Sequence, residues 1–525
     1  MSTPNSLVAP KSVGAGEVHE EVPDGEEELS KIVSFFVYRD VNLLAKFFDS
    51  GSFLALEKRF SRLRMLDVSK CFHSIYTHSV TWAVKNKDFA KENSSLYAFE
   101  QQFDRLMQRQ NYNETNGILV GPELSRIFAE VIFQRIDTNL IKRASENSLI
   151  FGKHYEFRRY VDDFFLYAND EETVDLIEGF LRTEVAAYKM YLNEGKADNF
   201  SRPFVTPLSA AKREIHRTIY ELKDVVDEVK NAQGPALFRG ISRRVKSKTL
   251  EARLIIGEHG VGFHNVSGWT LSLLKVMIQE LVGSASTLKG DEEERAGCIE
   301  RALWSLLTLV FYVANLDIRV TTTYSLAHVL SVMKHPGFKR LQDRSDWIEH
   351  VMLKETIDLL SASHGAFFDR MRRVDAVETF NILIVGAYYL GRTFTRHGAV
   401  QAVARELLSV DITYFIYITL KYVFLQDRPQ FSVDLANLNS KAIDRVVAGK
   451  NDLAIDAELY LLLCDLLSSP DLSNEQKRRL WKEVLPGTPS NQKLKFVAAR
   501  CGFADWEGVR IGHLIARKRL RPVYE

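Results

Sequence analysis

The first half of the chain combines short apolar runs with one long amphipathic segment. Two short runs, RLRML at 62–66 and FFLYA at 164–168, have the length and composition of strands, and an aspartate adjoins each one. Between them, apolar side chains recur every three or four positions, which predicts a helix with one buried face. The members of this face are Leu124, Ile127, Phe128, Val131, Ile132, Ile136 and Leu140. The pattern therefore predicts neighbouring strands, joined through a helix, with carboxylates at the strand ends.

From about residue 210 onward the pattern is almost entirely helical. Residues Ile215, Ile219, Leu222, Val226 and Val229 recur at helical spacing, and the segment 473–476 matches a capping box. Strand signals are scarce there, apart from short runs such as 252–256. Many helices joined by short loops predict a bundle or an α-solenoid. Because no exact repeat period is visible, HEAT-like stacking is a hypothesis.

Two long apolar runs in this half, 303–316 and 412–425, bear on membrane association. Both are shorter than the roughly 18 uninterrupted apolar residues expected of a membrane-spanning helix. We therefore predict that they are buried helices and that the protein has no membrane partner. The N-terminus also lacks a basic segment followed by an apolar one, so no signal peptide is expected.

The candidate chemistry begins with Tyr160-Val161-Asp162-Asp163. Two adjacent carboxylates repel each other and need a cation, or raised pKa values, to coexist between strands. A solvated hairpin turn is the alternative interpretation. The upstream Asp67, at the end of another predicted strand, favours the cation. Nucleotidyl transfer with two Mg²⁺ ions requires carboxylates from two strands, and Mg²⁺ prefers oxygen ligands that it shares with substrate phosphates.

A glycine-bounded loop lies between these acidic segments. Gly117 and Gly121 bracket three apolar residues, and Pro122 opens the helix that follows. Glycine lets a backbone approach a ligand closely, although such a loop before a helix is also an ordinary turn.

Composition sets the outer bounds. The chain has 525 residues and a formal net charge of +1, so at least two domains are expected and an extended nucleic-acid track is not. The cysteines are scattered without a CxxC pair, which predicts reduced thiols in a cytoplasmic protein and argues against a zinc site; they are Cys71, Cys298, Cys464 and Cys501. We predict a mobile acidic tail at 1–28, an α+β domain at 29–210 and a helical domain at 211–525.

Taken in order, these segments resemble the conserved motifs of reverse transcriptases. Leu66 through Phe72 is similar to motif A, Gly117 through Ser125 to motif B, and Tyr160 through Asp163 is the YxDD box of motif C. Tyr191 through Lys196 is similar to motif D. The resemblance covers roughly residues 30–205 and implies a reverse-transcriptase fingers and palm domain, followed here by the all-α HEAT-like domain.

The resemblance also implies a set of metal ligands. Asp67 and Asp162 would be the principal ligands of Mg²⁺ or Mn²⁺, and Asp163 would complete the acidic cluster. The carbonyl of Val68 would face a metal. Lys196 would approach the triphosphate and act as general acid to the leaving pyrophosphate, its alternative being a solvated lysine at a turn.

Three further residues are expected to contact the substrate. Phe72 would crowd a ribose 2′-hydroxyl and favour dNTPs, unless it is a core aromatic residue. The backbone at Gly121 would approach the nucleotide. Arg64, at the end of a basic run that begins at Lys58, would hold phosphates, although a solvated basic face is equally consistent. The chain departs from many reverse transcriptases at Val120, where they carry a glutamine that organises the templating pair, so templated copying is less well supported than nucleotidyl transfer.

The subfamily follows from the C-terminal half and from absent motifs. No Cys/His nuclease cluster is present, Val205-Thr206-Pro207 replaces the VTG triplet of retron enzymes, and Arg126 follows Ser125 where diversity-generating enzymes have an SQ pair. A palm joined to a long, neutral, helical region is similar to the abortive-infection, AbiK-like reverse transcriptases of phage defence.

That resemblance implies untemplated synthesis of single-stranded DNA, primed by a protein hydroxyl and so covalently attached, in a homo-oligomer in the bacterial cytoplasm. Two alternatives remain. One is a reverse transcriptase templated by a noncoding or cellular RNA, and the other is a non-catalytic helical scaffold with a decayed palm.

Overall fold

A computed structural model describes most of the chain, which divides into two compact units: one ends at Thr206 and the other comprises Pro207–Arg519. The described residues are 9–10, 36–37, 44–48, 50–92, 98–231, 240–288, 293–343, 347–370, 376–504, 506, 511–512 and 515. Apart from residues 9 and 10, the predicted acidic tail lies outside them. The division between the units falls close to residue 210, where the sequence pattern becomes helical.

The first unit mixes short strands and helices. In chain order they are β1 (Ala9–Pro10), β2 (Phe36–Val37), α1 (Leu44–Phe48), α2 (Gly51–Arg59), β3 (Arg62–Asp67), α3 (Cys71–Ser74), α4 (Ser79–Val84), α5 (Lys87–Glu92), α6 (Phe99–Gln110), α7 (Glu123–Glu146), β4 (Tyr155–Tyr160), β5 (Asp163–Ala168), α8 (Glu171–Ala187), a 3₁₀ turn (Glu194–Lys196) and β6 (Asp198–Ser201). The predicted amphipathic helix is α7, which begins after Pro122.

Four strands of this unit form one antiparallel sheet in the order β4-β5-β3-β6. Because successive side chains of a strand point to opposite faces, the register sorts the residues into two sets. One face carries Leu66 and Phe164 and packs in a cluster with α7 and α8. The other face carries Met65 and Phe165 and packs with aromatic residues of α1 and α2. The sheet is therefore covered by helices on both faces.

The second unit is helical throughout its described part. Its α-helices are α9 (Pro207–Lys230), α10 (Ile241–Glu258), α11 (Ser267–Ser286), α12 (Glu293–Leu316), α13 (Val320–Leu330), α14 (Pro336–Gln342), α15 (Trp347–Arg370), α16 (Val377–Thr395), α17 (Gly398–Ser409), α18 (Tyr414–Leu425), α19 (Ser432–Ala448), α20 (Ala457–Ser468), α21 (Asn474–Val484) and α22 (Asn491–Arg500), with 3₁₀ turns at Phe263–Asn265, Ser331–Lys334 and Lys450–Asp452. Helix α16 is interrupted at Gly391, whose φ is 57°.

Several sequence predictions can be compared directly with this unit. An α+β protein with a helical C-terminal region is confirmed, and so is the capping box, in which Ser473 and Gln476 satisfy each other's backbone N–H groups. The short strand expected at 252–256 is wrong, because these residues belong to α10. β-Branched side chains are common in strands, but they also pack on a buried helix face where the neighbouring turns continue the helical spacing of apolar residues.

The two apolar runs form α12 and α18. Helix α12 is long and apolar enough to cross a membrane by length and composition, but 67% of its most apolar window is buried inside the protein. This burial among neighbouring helices is the environment expected of a core helix.

One close approach between helices of this unit allows a direct test. A Cβ placed on Gly337, in the first turn of α14, would lie 1.9 Å from the carbonyl oxygen of Val282 in α11. We therefore expect Gly337→Ala to lower the free energy of unfolding by about 1–3 kcal/mol or more, because α14 must move away from α11. Hydrogen exchange in peptides that cover 278–342 would measure the loss.

Gly365 provides the matched control for this change. It is exposed in α15, and a Cβ there meets nothing within 4 Å. Gly365→Ala should leave stability unchanged or raise it by up to about 1 kcal/mol through helix propensity. Equal stability of the two variants would contradict the close packing of α14 on α11.

Candidate active site at the paired ends of strands β3 and β5

The register of the sheet brings the sequence-distant aspartates together. Asp67, the last residue of β3, pairs directly with Asp163, the first residue of β5. Asp162 lies in the two-residue turn that joins β4 to β5, because Tyr160 also pairs with Asp163. Residues directly opposite each other in an antiparallel pair have Cβ atoms only about 4.5–5.5 Å apart. Three carboxylates therefore share one end of the sheet.

The turn that presents Asp162 has an unusual backbone. Val161 has a φ of 56°, a left-handed conformation that a β-branched residue rarely adopts. Its side chain is only 9% exposed and packs in the aromatic cluster of the sheet face formed with α1 and α2. Such a conformation costs on the order of 1–3 kcal/mol and persists only where the surroundings hold it.

The nearby Arg159 keeps the turn in this conformation. Its side chain is fully buried, and its Nη1 donates a hydrogen bond of 2.9 Å to the carbonyl oxygen of Val161. The remaining guanidinium N–H groups bond to two carboxylates of α7, with contacts of 2.8 Å to Asp137 and 2.9 Å to Glu130. The guanidinium carbon also lies 4.9 Å from the ring centroid of Phe133. One side chain thus connects the turn to the long helix behind the sheet.

The protonation state of this group follows from its surroundings. Burial by itself would lower the pKa of Arg159, but the charges of Asp137 and Glu130 outweigh burial and raise its pKa. Arg159 therefore stays charged. We did not single out these three residues from the sequence. The available signal was that two acidic residues, at positions 130 and 137, lie seven apart on a helix that follows an apolar pattern, with an arginine directly before the YxDD box.

Asn193 links the predicted motif D to Asp67. Its backbone N–H donates to the carbonyl oxygen of Asp67 at 2.8 Å, and its side-chain Nδ2 donates to the Asp67 carboxylate at 3.2 Å. The same side chain accepts a hydrogen bond from the backbone N–H of Gly195. Asn193 thereby orients one carboxylate oxygen of Asp67 and starts the turn that ends at Lys196.

The neighbouring Val68 pairs with Leu192 in the same antiparallel contact. The hydrogen bonds of this contact are made by residues on either side of the pair, from Ser69 to Tyr191 and from Asn193 to Asp67. In this arrangement the carbonyl of Val68 points away from Leu192. That orientation is compatible with the metal-facing role expected for it.

The buried thiol of Cys71 lies in the electrostatic field of the three aspartates. Burial is the main reason that the pKa of its thiol is raised, and the negative charges of Asp162, Asp67 and Asp163 raise it further, while Arg159 opposes them. The negative charges of all three carboxylates therefore reach the same buried thiol. A divalent cation bound among these carboxylates would neutralise that charge.

The three carboxylates at this end of the sheet are the candidate ligands of a metal ion. Within the described ranges, no group of three or more His, Cys, Asp or Glu side chains is arranged to hold a metal ion. The carboxylate donors suit Mg²⁺ or Mn²⁺, and Mg²⁺ commonly binds through one or two carboxylates plus substrate phosphates and water. The donor set thus fits a site that substrate oxygens complete, and does not form a protein-only cage.

Phe72 and the glycine loop lie next to this end of the sheet. Phe72 is half-buried and packs against both clusters of the first unit, and its carbonyl accepts a hydrogen bond of 2.8 Å from the N–H of Ile118. Gly117 has a φ of 84° and lies against the backbone of His73. Gly121 has a φ of 119°, and a Cβ there would meet nothing within 4 Å. The loop is therefore anchored at Ile118 and open at Gly121.

The structure does not support the expected role of Arg64 in holding phosphates. Arg64 is three residues before Asp67, so its side chain leaves the opposite face of the sheet. Its guanidinium bonds to Asn199 of β6 at 2.6 Å and to carboxylates of α8, at 2.6 Å to Asp175 and 2.7 Å to Glu178, with a further ion pair to Glu171. The guanidinium group is therefore already bound by these carboxylates, and the contacts hold α8 against the sheet.

Other predicted residues are only partly described. Lys196 ends the 3₁₀ turn, and its side chain lies outside the described residues. Val120, in the place of the glutamine of many reverse transcriptases, is 63% exposed. The cysteines at positions 71, 298, 464 and 501 are free thiols in this structure.

Comparison with known proteins adds little to this geometry. No protein-family model matches the chain, and no curated protein matches its sequence. Among solved structures, telomerase from Candida albicans in complex with a TWJ fragment of telomeric RNA is 12% identical with a TM-score of 0.23, over 48% of this chain and 54% of that one. The chain thus spans about half of the telomerase chain, and we draw no conclusion about fold or function from an overlap of this quality.

The buried charge network predicts a large effect of one substitution. In Arg159→Met, the carboxylates of Asp137 and Glu130 lose their buried partner, so we expect the free energy of unfolding of the sheet to fall by about 3–5 kcal/mol. Hydrogen exchange in peptides that cover 155–168 would measure this loss. The double change Arg159→Met with Asp137→Asn should recover part of it, because one uncompensated charge is removed.

Arg182 provides a matched control. It is 40% exposed and pairs with the exposed Glu194 and with Glu178, which keeps its ion pair with Arg64 when Arg182 is removed. Arg182→Met should change stability by less than about 1 kcal/mol. If Arg159→Met were as mild as Arg182→Met, Arg159 would not be what holds the turn.

Proposed function

We propose that this protein is a DNA polymerase of the reverse-transcriptase type that acts in abortive-infection defence against phage. The observation that carries the proposal is the pairing of Asp67 with Asp163, with Asp162 in the adjoining turn. Carboxylates from two strands at one sheet end are the arrangement that two-metal nucleotidyl transfer requires. The hydrogen bonds of Asn193 to Asp67 support the same assignment, because they place a fourth predicted motif beside the first.

The proposed reaction joins a hydroxyl oxygen to the α-phosphorus of a dNTP and releases pyrophosphate. Bound Mg²⁺ or Mn²⁺ would supply charge stabilisation for the attacking and leaving oxygens. Asp67, Asp162 and the carbonyl of Val68 would hold the metals, with Asp163 contributing negative charge. Asn193 fixes the Asp67 carboxylate, and Arg159 fixes the turn that presents Asp162. The side chain of Lys196 would donate a proton to the leaving pyrophosphate.

The mode of synthesis is the second part of the proposal. We infer that DNA is made without a template and from a hydroxyl of the protein, which leaves the product attached to a homo-oligomer in the bacterial cytoplasm. The sequence resemblance to AbiK-like enzymes, the replacement of the template-organising glutamine by Val120 and the net charge of +1 support it. A tyrosine is the expected donor; Tyr76 and Tyr112 lie in the described first unit, and Tyr38, Tyr97 and Tyr524 lie outside the described residues.

The experiment that tests the proposal is incubation of the purified chain with each labelled dNTP and Mg²⁺ or Mn²⁺, followed by denaturing electrophoresis. We expect label to remain with the protein and to survive RNase. Asp67→Asn and Asp162→Asn should each lower incorporation by at least about 1,000-fold, because the one principal carboxylate ligand that remains cannot organise two metals beside a triphosphate. Chelation of the metal should abolish incorporation in the unchanged chain.

Asp88→Asn is the matched control, since Asp88 is exposed in α5 of the same unit. It should incorporate nucleotides at the normal rate. Near-normal incorporation by a folded Asp67→Asn or Asp162→Asn variant would refute the catalytic assignment. Synthesis that RNase abolishes would instead support the RNA-templated alternative, and DNA that separates fully from protein would refute protein priming.

Sugar selection by Phe72 is a separate prediction. Phe72→Val should raise the incorporation of ribonucleotides relative to deoxyribonucleotides by roughly 10- to 100-fold, because the smaller side chain leaves room for a 2′-hydroxyl. Phe103→Val is the control: Phe103 is buried in the same cluster, so it removes comparable core volume away from the proposed site. If both variants keep the same sugar preference as the unchanged chain, Phe72 is a core residue and not a gate.

A further inference from the structure

A column of rings stands on the surface of the second unit. His216 and Tyr220, one turn apart in α9, are stacked with ring centroids 5.7 Å apart and an interplanar angle of 17°. His216 also adjoins Trp269 of α11, with ring centroids 5.5 Å apart and an interplanar angle of 31°. Trp269 is partly buried and packs against the core of the unit, whereas Tyr220 is 51% exposed and His216 is exposed. The column therefore runs from a partly buried ring to an open end at Tyr220.

The open end is only loosely covered. Lys223 places its Nζ 5.6 Å from the ring centroid of Tyr220, and the same Nζ is 4.0 Å from a carboxylate oxygen of Glu280. The two distances are near the upper limits for a cation–π contact and for an ion pair. Each interaction therefore contributes little stabilisation at an exposed site. A planar group arriving at Tyr220 can displace this amine, which remains close enough to pair with an anion.

Two arginines extend the same stripe of α9. Arg213 and Arg217 are exposed and precede His216 and Tyr220 by three residues each, so all four side chains lie on one helix face. Over the described part of the chain, neither arginine forms a side-chain hydrogen bond or a close ion pair. Arg217 acts on Glu251 only through space, where it adds a minor contribution to a lowered pKa caused mainly by a hydrogen bond from Lys248.

Two acidic residues near this stripe each lie close to a basic side chain outside it. Glu214 pairs with His259 at 3.4 Å, and Glu221 forms an ion pair with Lys248. Asp224 is exposed one turn beyond Tyr220 and marks the end of the positive surface. Within the described part of the chain, the stripe from Arg213 to Tyr220 thus combines two arginines that form no close ion pair with exposed aromatic rings.

We propose that this stripe, Arg213, His216, Arg217 and Tyr220 with Trp269 behind it, is a binding site for single-stranded DNA on the helical unit. An unpaired base would extend the column by stacking on Tyr220, and the two arginines would contact the flanking phosphates. Aromatic stacking and backbone charge together are the means by which proteins bind single strands without reading sequence. A duplex has no free base face along its length to offer, whereas a single strand supplies unpaired planar bases together with regularly spaced phosphates.

The choice of DNA over RNA rests on the proposed function, in which single-stranded DNA is the product. Binding itself does not depend on the polymerase site, so it is tested with the full chain in EDTA and without dNTPs, where no extension occurs. The probe is a fluorescently labelled mixed-sequence 20-nucleotide DNA strand, followed by anisotropy over a range of salt concentrations. Matched RNA, duplex DNA and a strand with abasic sites are measured beside it.

We expect Tyr220→Leu to weaken binding of the DNA strand by about 5- to 100-fold while the salt dependence stays the same, because a stacking contact is lost and no charge is removed. Tyr220→Phe should bind normally. Arg213→Gln should weaken binding and reduce the slope of log K against log salt by about 0.7, the value for one phosphate contact with a single strand. The abasic strand should bind the unchanged chain and Tyr220→Leu equally.

Tyr460→Leu is the matched control, because Tyr460 is also 51% exposed but lies on α20 of the same unit. It should bind the strand like the unchanged chain. Unchanged binding by Tyr220→Leu, equal binding of the duplex, or tighter binding of RNA than DNA would each overturn the assignment. If these results came with normal nucleotide incorporation, the binding site would be wrong while the proposed function stood.

Discussion

The balance of charge around Arg159 is the constraint on which the candidate site depends. A fully buried guanidinium is stable only when its charge and its N–H groups are satisfied, and here Asp137 and Glu130 of α7 meet that need together with the carbonyl of Val161. The network therefore couples three elements, namely the helix, strand β4 and the turn before β5. Removal of Arg159 leaves two carboxylates without their buried partner, so the geometry of the turn is tied to the fold of the unit.

The same network explains how a costly backbone conformation is kept. Val161 holds a positive φ because its carbonyl is bound by Arg159 and its side chain is packed in an aromatic cluster. The consequence is a two-residue turn that carries Asp162 and starts β5 at Asp163, directly opposite Asp67. The strain at this point is therefore compensated by contacts in the interior of the unit.

The alternation of side chains across the sheet separates the charge of the candidate site from a charge that binds a helix. Asp67 leaves one face and Arg64 the other, where it binds carboxylates of α8 and Asn199. In the second unit, most charged side chains near α9 are likewise paired, as with Glu214 and His259. Against this background the unpaired arginines beside the rings of His216 and Tyr220 stand out. Exposed positive charge next to aromatic faces favours a partner with anions and planar bases.

The sequence by itself determined the elements and the chemical identity of the candidate site. Helical spacing located α7 and α9, the two apolar runs located α12 and α18, and the order of the aspartates, glycines and Asn193 indicated which segments meet. It could not assign Arg64 or Arg159, because both are arginines within short strands and their roles depend on which sheet face each side chain leaves. Strand register and the partners contributed by α7 and α8 decide that, and both arise only when distant segments pack. The stacked rings of Trp269, His216 and Tyr220 are a tertiary feature for the same reason, since residues that are about fifty positions apart adjoin only when α11 packs beside α9.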